Sequence, residues 1–112
     1  MAELNALSAA GPVSLKLYKR LLSDVHRIGP FQEEVKKTSI HLVRKTAFAG
    51  VQPRKEHLNL TIKAAKSIRS ARIFKSEQTS KSRWHHEVKL AAPSDIDGEL
   101  LGWIREAYEL SD

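Results

Sequence analysis

Residues 57–63 read HLNLTIK, and their strict alternation of apolar and polar side chains limits the possible folds more than any other stretch of the chain. Successive strand side chains point to opposite faces, so Leu58, Leu60 and Ile62 share one face while His57, Asn59, Thr61 and Lys63 share the other. Such a strand belongs in a sheet with one face buried and the other wet, which is the antiparallel habit. The period of two extends from about Glu34 to Leu90. Ser39–Arg44 (SIHLVR) alternates through Ile40 and Leu42, with Val43 out of step, and Phe48–Gln52 (FAGVQ) is a short strand bracketed by Pro53. The tetrapeptide PRKE makes a hairpin turn into His57–Lys63, with proline and charges at its tip. Ala71–Gln78 (ARIFKSEQ) and Arg83–Leu90 (RWHHEVKL) form a second hairpin through TSKS, and residues 64–70 read as a helical turn or a loop.

On both sides of this region the period is helical. Leu17, Leu21, Val25 and Ile28, joined by Tyr18 and Leu22, recur at spacings of three and four and predict a helix over Ser14–Ile28. Ser14 is its expected N-cap, Val13 its expected staple onto Tyr18, and Gly29-Pro30 its stop. A second helix is predicted over Ser94–Leu110, capped by Ser94, with Asp95 and Asp97 near the positive end of its dipole. Ile96, Leu100, Trp103, Ile104 and Ala107 form its apolar face, with Tyr108 beside them and Gly98 and Gly102 on the wet side. Helix, strands, helix is an α+β order: a single antiparallel sheet of four to six strands flanked by an N-terminal and a C-terminal helix. With 112 residues the chain can bury one core, so residues 13–112 are expected to be a single α+β domain and residues 1–12 a flexible tail.

Charge is unevenly distributed within that plan. Residues 35–93 hold 14 Lys/Arg against Glu56, Glu77 and Glu87, whereas residues 94–112 hold Arg105 against six acids. The chain has no cysteine, which excludes a thiol nucleophile and a disulfide framework and suits a cytoplasmic setting. The N-terminal residues lack the basic and apolar regions of a secretory signal, and no apolar run approaches the roughly 20 residues of a membrane span.

The histidine doublet in RWHHEVKL is the most chemically suggestive string. Alternation puts Trp84, His86, Val88 and Leu90 on one face and Arg83, His85, Glu87 and Lys89 on the other, so the two rings cannot grip one metal from a regular strand. His86 is expected on the core side, hydrogen-bonded and neutral. His26, His41 and His57 lack ligand spacing, and neither a GxSxG elbow nor a glycine-rich phosphate loop occurs. No metal site and no cofactor are expected. The wet face gathers His41, Lys45, His57, Lys63, Arg83, His85 and Lys89, edged by Arg54 and Lys55 at a turn. Such a face can hold phosphates through Lys/Arg contacts. The plainer reading is a solvated face partly neutralised by the acidic last helix. No aromatic ladder interleaves the charges, which argues against reading of bases.

The run FAGVQPRKEHLNL, then RIFKSEQTSKSRWHHEVKL, then SDIDGELLGWIREAYEL resembles a bacterial domain-of-unknown-function family over roughly residues 12–111. Its members occur alone and as the C-terminal part of chains labelled "predicted transport proteins". The resemblance rests on Phe48, Pro53, Lys55, Leu58 and Leu60, on Arg72 and His86, and on Trp103, Ala107 and Tyr108. It implies a small α+β domain and brings no established activity. It also implies that His86 and the basic turn Arg54-Lys55 belong to the family's pattern. The candidate binding residues are therefore Arg54, Lys55, Lys63, Arg72, Arg83 and His86, with nucleic-acid backbone or a phosphorylated small molecule as the expected partner. The rivals are a small hydrolase or transferase that uses His86 with a carboxylate such as Glu77, and an accessory domain that docks another protein.

Overall fold

In the structure, a computed structural model that describes residues 10–112, the period-two region forms one six-stranded sheet. In chain order the elements are α1 (Pro12–His26), β1 (Gln32–Val35), β2 (Ile40–Val43), β3 (Ala47–Pro53), β4 (Leu58–Ala64), β5 (Ile73–Ser80), β6 (Arg83–Leu90), a 3₁₀ turn (Pro93–Asp95) and α2 (Gly98–Leu110). The sheet order is β1-β2-β3-β4-β6-β5, and every neighbouring pair is antiparallel. Residues 65–72 carry the chain from β4 past β6 to the far edge, and they are loop rather than helix.

Both helices lie on one face of the sheet, against β3, β4 and each other. Beneath them the alternation of β4 is fully realised: Leu58, Leu60, Ile62 and Ala64 are buried, and the residues between them are half-buried. Leu42, Val51, Val88 and Leu90 extend this floor, and Leu17, Leu21, Val25, Leu100 and Ile104 close it from above. Val43 keeps the alternation of β2, half-buried on the side of His41, and the irregularity lies opposite it as a β-bulge in β3. Leu42 pairs with Ala49 and Val43 with Ala47, which leaves Phe48 as the extra residue. The bulge lets Phe48 and Ala49, adjacent in sequence, both be buried, and Phe48 packs edge-on to Tyr108 at 5.3 Å between ring centroids.

Four expectations about element ends need correcting. Of the expected tail, residues 1–9 lie outside the described residues, and Pro12 already begins α1, where its fixed φ and missing N–H suit the first turn. Gly11, not Ser14, is the N-cap of α1. Ser14 is wholly buried and donates its hydroxyl to the carbonyls of Arg54 and His57 in the β3–β4 turn, while Val13 stands 48 % exposed instead of stapling onto Tyr18. A hydroxyl that closes a long-range contact is unavailable for capping. At the other end, Ser94 lies in the 3₁₀ turn, and Asp97 caps α2 by accepting from the Leu100 N–H at 3.0 Å. Asp95 holds the entry to the turn, accepting from the N–H groups of Ala91 and Ala92.

Gly29 does more than stop a helix. A Cβ there would collide with the Tyr108 hydroxyl, which donates to the Pro30 carbonyl at 2.7 Å. The α1–β1 loop is thereby pressed onto the end of α2. Strand β1 follows, and the sequence carries no sign of it: all four residues, QEEV, are exposed, so there is no alternation to read. Its Glu33 accepts from the Tyr18 hydroxyl at 2.6 Å. Burial first, and then that hydrogen bond, holds the Tyr18 phenol well above its ordinary pKa.

Leu60 in the sheet and Ile104 in α2 each keep at most 1 % of their surface exposed. Replacing either by Ala is expected to cost about 2–5 kcal/mol in urea unfolding, from lost transfer energy and the cavity left behind. Losses below about 0.5 kcal/mol at both positions would contradict this core.

Candidate functional site

With both helices on one side, the other face of the sheet is uncovered among the described residues. A groove of about 410 Å³ runs along it, with Gly50 on its floor and His41, Gln52, Thr61, Lys63 and His85 among its walls. The strands produce it directly. His41, Gly50 and Thr61 stand side by side across β2, β3 and β4, and Gly50 contributes no side chain between its two neighbours. Among the described residues no acidic side chain lines the groove. At one end the Lys63 ammonium donates to the hydroxyls of Thr46 and Ser111, each at 3.0 Å. Burial first, and the Arg83 charge second, lowers the Lys63 pKa. At the other end Arg54 donates to Gln52 at 3.1 Å. There His57 is held below its ordinary pKa by burial, then by Lys89 and Arg54, against a weaker opposing effect from Asn59.

The six candidate residues fall in distinct places. Lys63 and Arg83 converge near His85, and Arg54 and Lys55 occupy the β3–β4 turn at the opposite end of β4, about 20 Å away by strand rise. Among the described residues none of these four has a carboxylate within ion-pair distance. Arg72 and His86 are elsewhere. His86, opposite Ile62 on the helix side, has no exposed surface and stacks on Trp84 at 5.9 Å. Its Nε2 lies 3.2 Å from both the Ile68 N–H and the Lys66 carbonyl, and its Nδ1 lies 2.8 Å from the Ser76 hydroxyl. With Ile68 donating to Nε2, Nδ1 carries the ring N–H and donates it to the Ser76 hydroxyl, and the Lys66 carbonyl beside Nε2 receives no hydrogen bond from the ring. The imidazole therefore ties the crossover loop to β6 and β5. Glu77, the carboxylate considered as its partner, stands opposite His85 on the other face; Ser76 is the residue opposite His86.

Arg72 secures the same crossover to α2. Its guanidinium donates to Asp97 at 2.9 and 3.1 Å, to Glu99 at 3.1 Å and to the Asp95 carbonyl at 2.5 Å. Partial burial opposes its charge, but the hydrogen bonds and charges of Asp97 and Glu99 hold its pKa above the ordinary value. The Asp97 carboxyl is lowered in turn, first by the Leu100 N–H it accepts and then by Arg72. Alternation could place Lys63 and His85 on one face. It carried no sign of the pairing of Arg72 with acids some 25 positions on, which depends on where α2 starts. The groove's floor was likewise hidden, because a lone glycine in a strand marks a bulge or a close approach as readily as a gap.

A family model described as Domain of unknown function (DUF5655) matches residues 5–111. Searches of curated proteins and of solved structures gave no match.

His86→Ala is expected to destabilise the fold by about 2–4 kcal/mol, because it empties a packed site and leaves the Ile68 N–H without its acceptor and the Ser76 hydroxyl without its donor. His85→Ala, at an exposed position, should stay within about 0.5 kcal/mol in the same melts. Asp97, whose pKa is lowered on folding, adds stability that is present above its unfolded value of about 3.9 and is lost as pH falls through the folded value. Asp97→Asn should therefore melt below wild type at neutral pH, and the gap should narrow below about pH 3.9; a gap independent of pH would show that the carboxylate charge is not what matters.

Proposed function

The chain belongs to the DUF5655 family, and from that premise we propose that it is a non-enzymatic binding module whose uncovered sheet face receives an anionic partner. The observation that carries this reading is the groove over Gly50, walled by His41, Thr61, Lys63 and His85 and, among the described residues, lined by no carboxylate. Lys63 is held by neutral hydroxyls, so its charge is positioned without being cancelled. An anion arriving there relieves the Lys63–Arg83 repulsion, which gives binding a local electrostatic gain. The acids nearest the start of α2 are taken by Arg72 and Asp112 pairs with Arg44, so no carboxylate is within ion-pair distance of Lys63 among the described residues.

The ligand chemistry is phosphate, either along a nucleic-acid backbone or on a small molecule. Phe48, the one Phe, Tyr or Trp lining the groove, is buried in the core, so only the imidazoles of His41 and His85 are offered to bases and no aromatic ladder is. Contacts of this kind hold backbone without choosing a sequence. The resemblance to a bacterial family whose members also occur as C-terminal parts of longer chains suits a portable module, and we place its action in the cytoplasm, a setting that the lack of cysteine suits.

Binding to heparin and duplex DNA should weaken steeply as salt rises, because each neutralised phosphate releases counterions. Reversing Lys63 and Arg83 together, or Arg54 and Lys55 together, should lower affinity and flatten the salt slope by about one unit per lost contact. Reversing Lys16 and Lys19, on the outer side of α1, should do less; equal losses would mean generic basicity. Gly50→Val is a sharper probe. A Cβ there meets nothing nearer than Thr61 at 3.9 Å and His41 at 4.0 Å, so the variant should fold normally and occlude the groove. Loss of inorganic phosphate or phosphorylated ligand binding with unchanged Tm would support the groove. Retention of neither DNA nor heparin at about 50 mM salt would remove the nucleic-acid form of the proposal.

A further inference from the structure

The sheet ends in two unlike edges. Strand β1 has only four residues, and self-pairing centred on Glu33 or Glu34 would set like carboxylates opposite each other, which guards that edge. Strand β5 is eight residues long, and every residue after Ile73 is exposed. Neither helix packs over it, Phe74 stands 56 % exposed, and among the described residues no strand pairs with its outer edge. An edge of this length is a template for another strand.

We propose that two copies of the chain associate through antiparallel pairing of β5 with β5, in the register centred on Ser76. Charge on the strand selects this occupant. A two-fold axis perpendicular to the sheet makes edges antiparallel and keeps each side chain on its own face. Within the regular stretch Lys75–Gln78, whose partners on β6 run without a break from Glu87 to Trp84, only registers centred on a residue satisfy that symmetry. Centring on Lys75 opposes lysine to lysine, and centring on Glu77 opposes glutamate to glutamate. Centring on Gln78 pairs neither charge with its opposite. Centring on Ser76 places Lys75 opposite Glu77 of the second copy, and by symmetry Glu77 opposite its Lys75, giving two cross-strand ion pairs.

Lys75 and Glu77 both lie on the uncovered face, opposite Glu87 and His85 of β6. Lys75 already sits 3.6 Å from Glu87, so the pairing extends this contact into an alternating row from Glu87 through Lys75 to the second copy's Glu77. Phe74, the extra residue of a bulge in β5, lies next to the paired stretch, at the margin of the contact. The assembly is closed, a continuous sheet of twelve strands formed from the six of each copy. Both grooves then open on the same side. The pairing is argued from the edge alone and stands whether or not the groove binds an anion.

Sedimentation velocity across a wide concentration range, at low and high salt, tests it on the full chain. Wild type should shift reversibly from monomer to dimer, more weakly at high salt. Lys75→Glu gives an edge with two acids and Glu77→Lys an edge with two bases. Each alone should weaken self-association on the order of tenfold, since two attractive pairs become repulsive. Mixing the two variants should restore a dimer. The acid introduced at position 75 of one variant then faces the base introduced at position 77 of the other, and the unchanged Glu77 of the first faces the unchanged Lys75 of the second. Wild type that stays monomeric throughout would overturn the proposal. So would a dimer indifferent to both substitutions, or a mixture no more associated than its components.

Discussion

Burial of one face of β4 under α2 is the contact on which the rest of the molecule depends. The strand sits in the interior of the sheet, paired with β3 on one side and β6 on the other, and Leu58, Leu60 and Ile62 are removed from water almost completely. Each such side chain is worth on the order of 1.5–3 kcal/mol when fully buried. A one-residue slip would turn all of them outward, so the register of the neighbouring strands is set along with it. The same alternation forces Asn59, Thr61 and Lys63 to the opposite face, where neither helix packs. The polar groove is therefore a geometric consequence of the core.

The crossover from β4 to β5 is the least regular part of the fold, and two polar side chains secure it. His86 reaches Ile68 from beneath, and Arg72 reaches Asp95, Asp97 and Glu99 at the start of α2. A loop without its own ladder needs such partners for its backbone groups where it is covered. Among the described residues no buried side-chain nitrogen or oxygen lacks a partner, so these polar elements stabilise the packing and leave no desolvated group uncompensated. They also divide the charged residues into two populations. Arg72 is matched by the carboxylates of Asp97 and Glu99, whereas Lys63 is met by hydroxyls and Arg54 by an amide.

That division shows how net charge misleads when read along a chain. The basic middle and the acidic end of the sequence meet at Arg72, through Asp97 and Glu99, and at Arg44, through Asp112, yet α2 packs on the side of the sheet away from His41, Thr61 and His85. Screening by water and salt on the open side further reduces any influence of α2 on that face. An electrostatic reading of this protein has to be made face by face.

Element types and faces were legible in the sequence because side-chain period is a property of the local backbone. HLNLTIK declared its two faces, and RWHHEVKL declared that His85 and His86 point apart, with no reference to the rest of the chain. The six-stranded order, with β5 outside β6, was not legible, since it rests on contacts between segments far apart in sequence. Strand β1 was hidden because an edge exposed along its length has no apolar alternation to display. Ser14 reads as a cap in isolation and becomes a tether only when the β3–β4 turn is brought beneath it. The sequence by itself determined which side chains face together along each strand and helix. Only the tertiary structure decided which face the helices cover, which cations keep their charge unmatched, and which edge is left open, because those outcomes depend on which distant segments exclude water from one another.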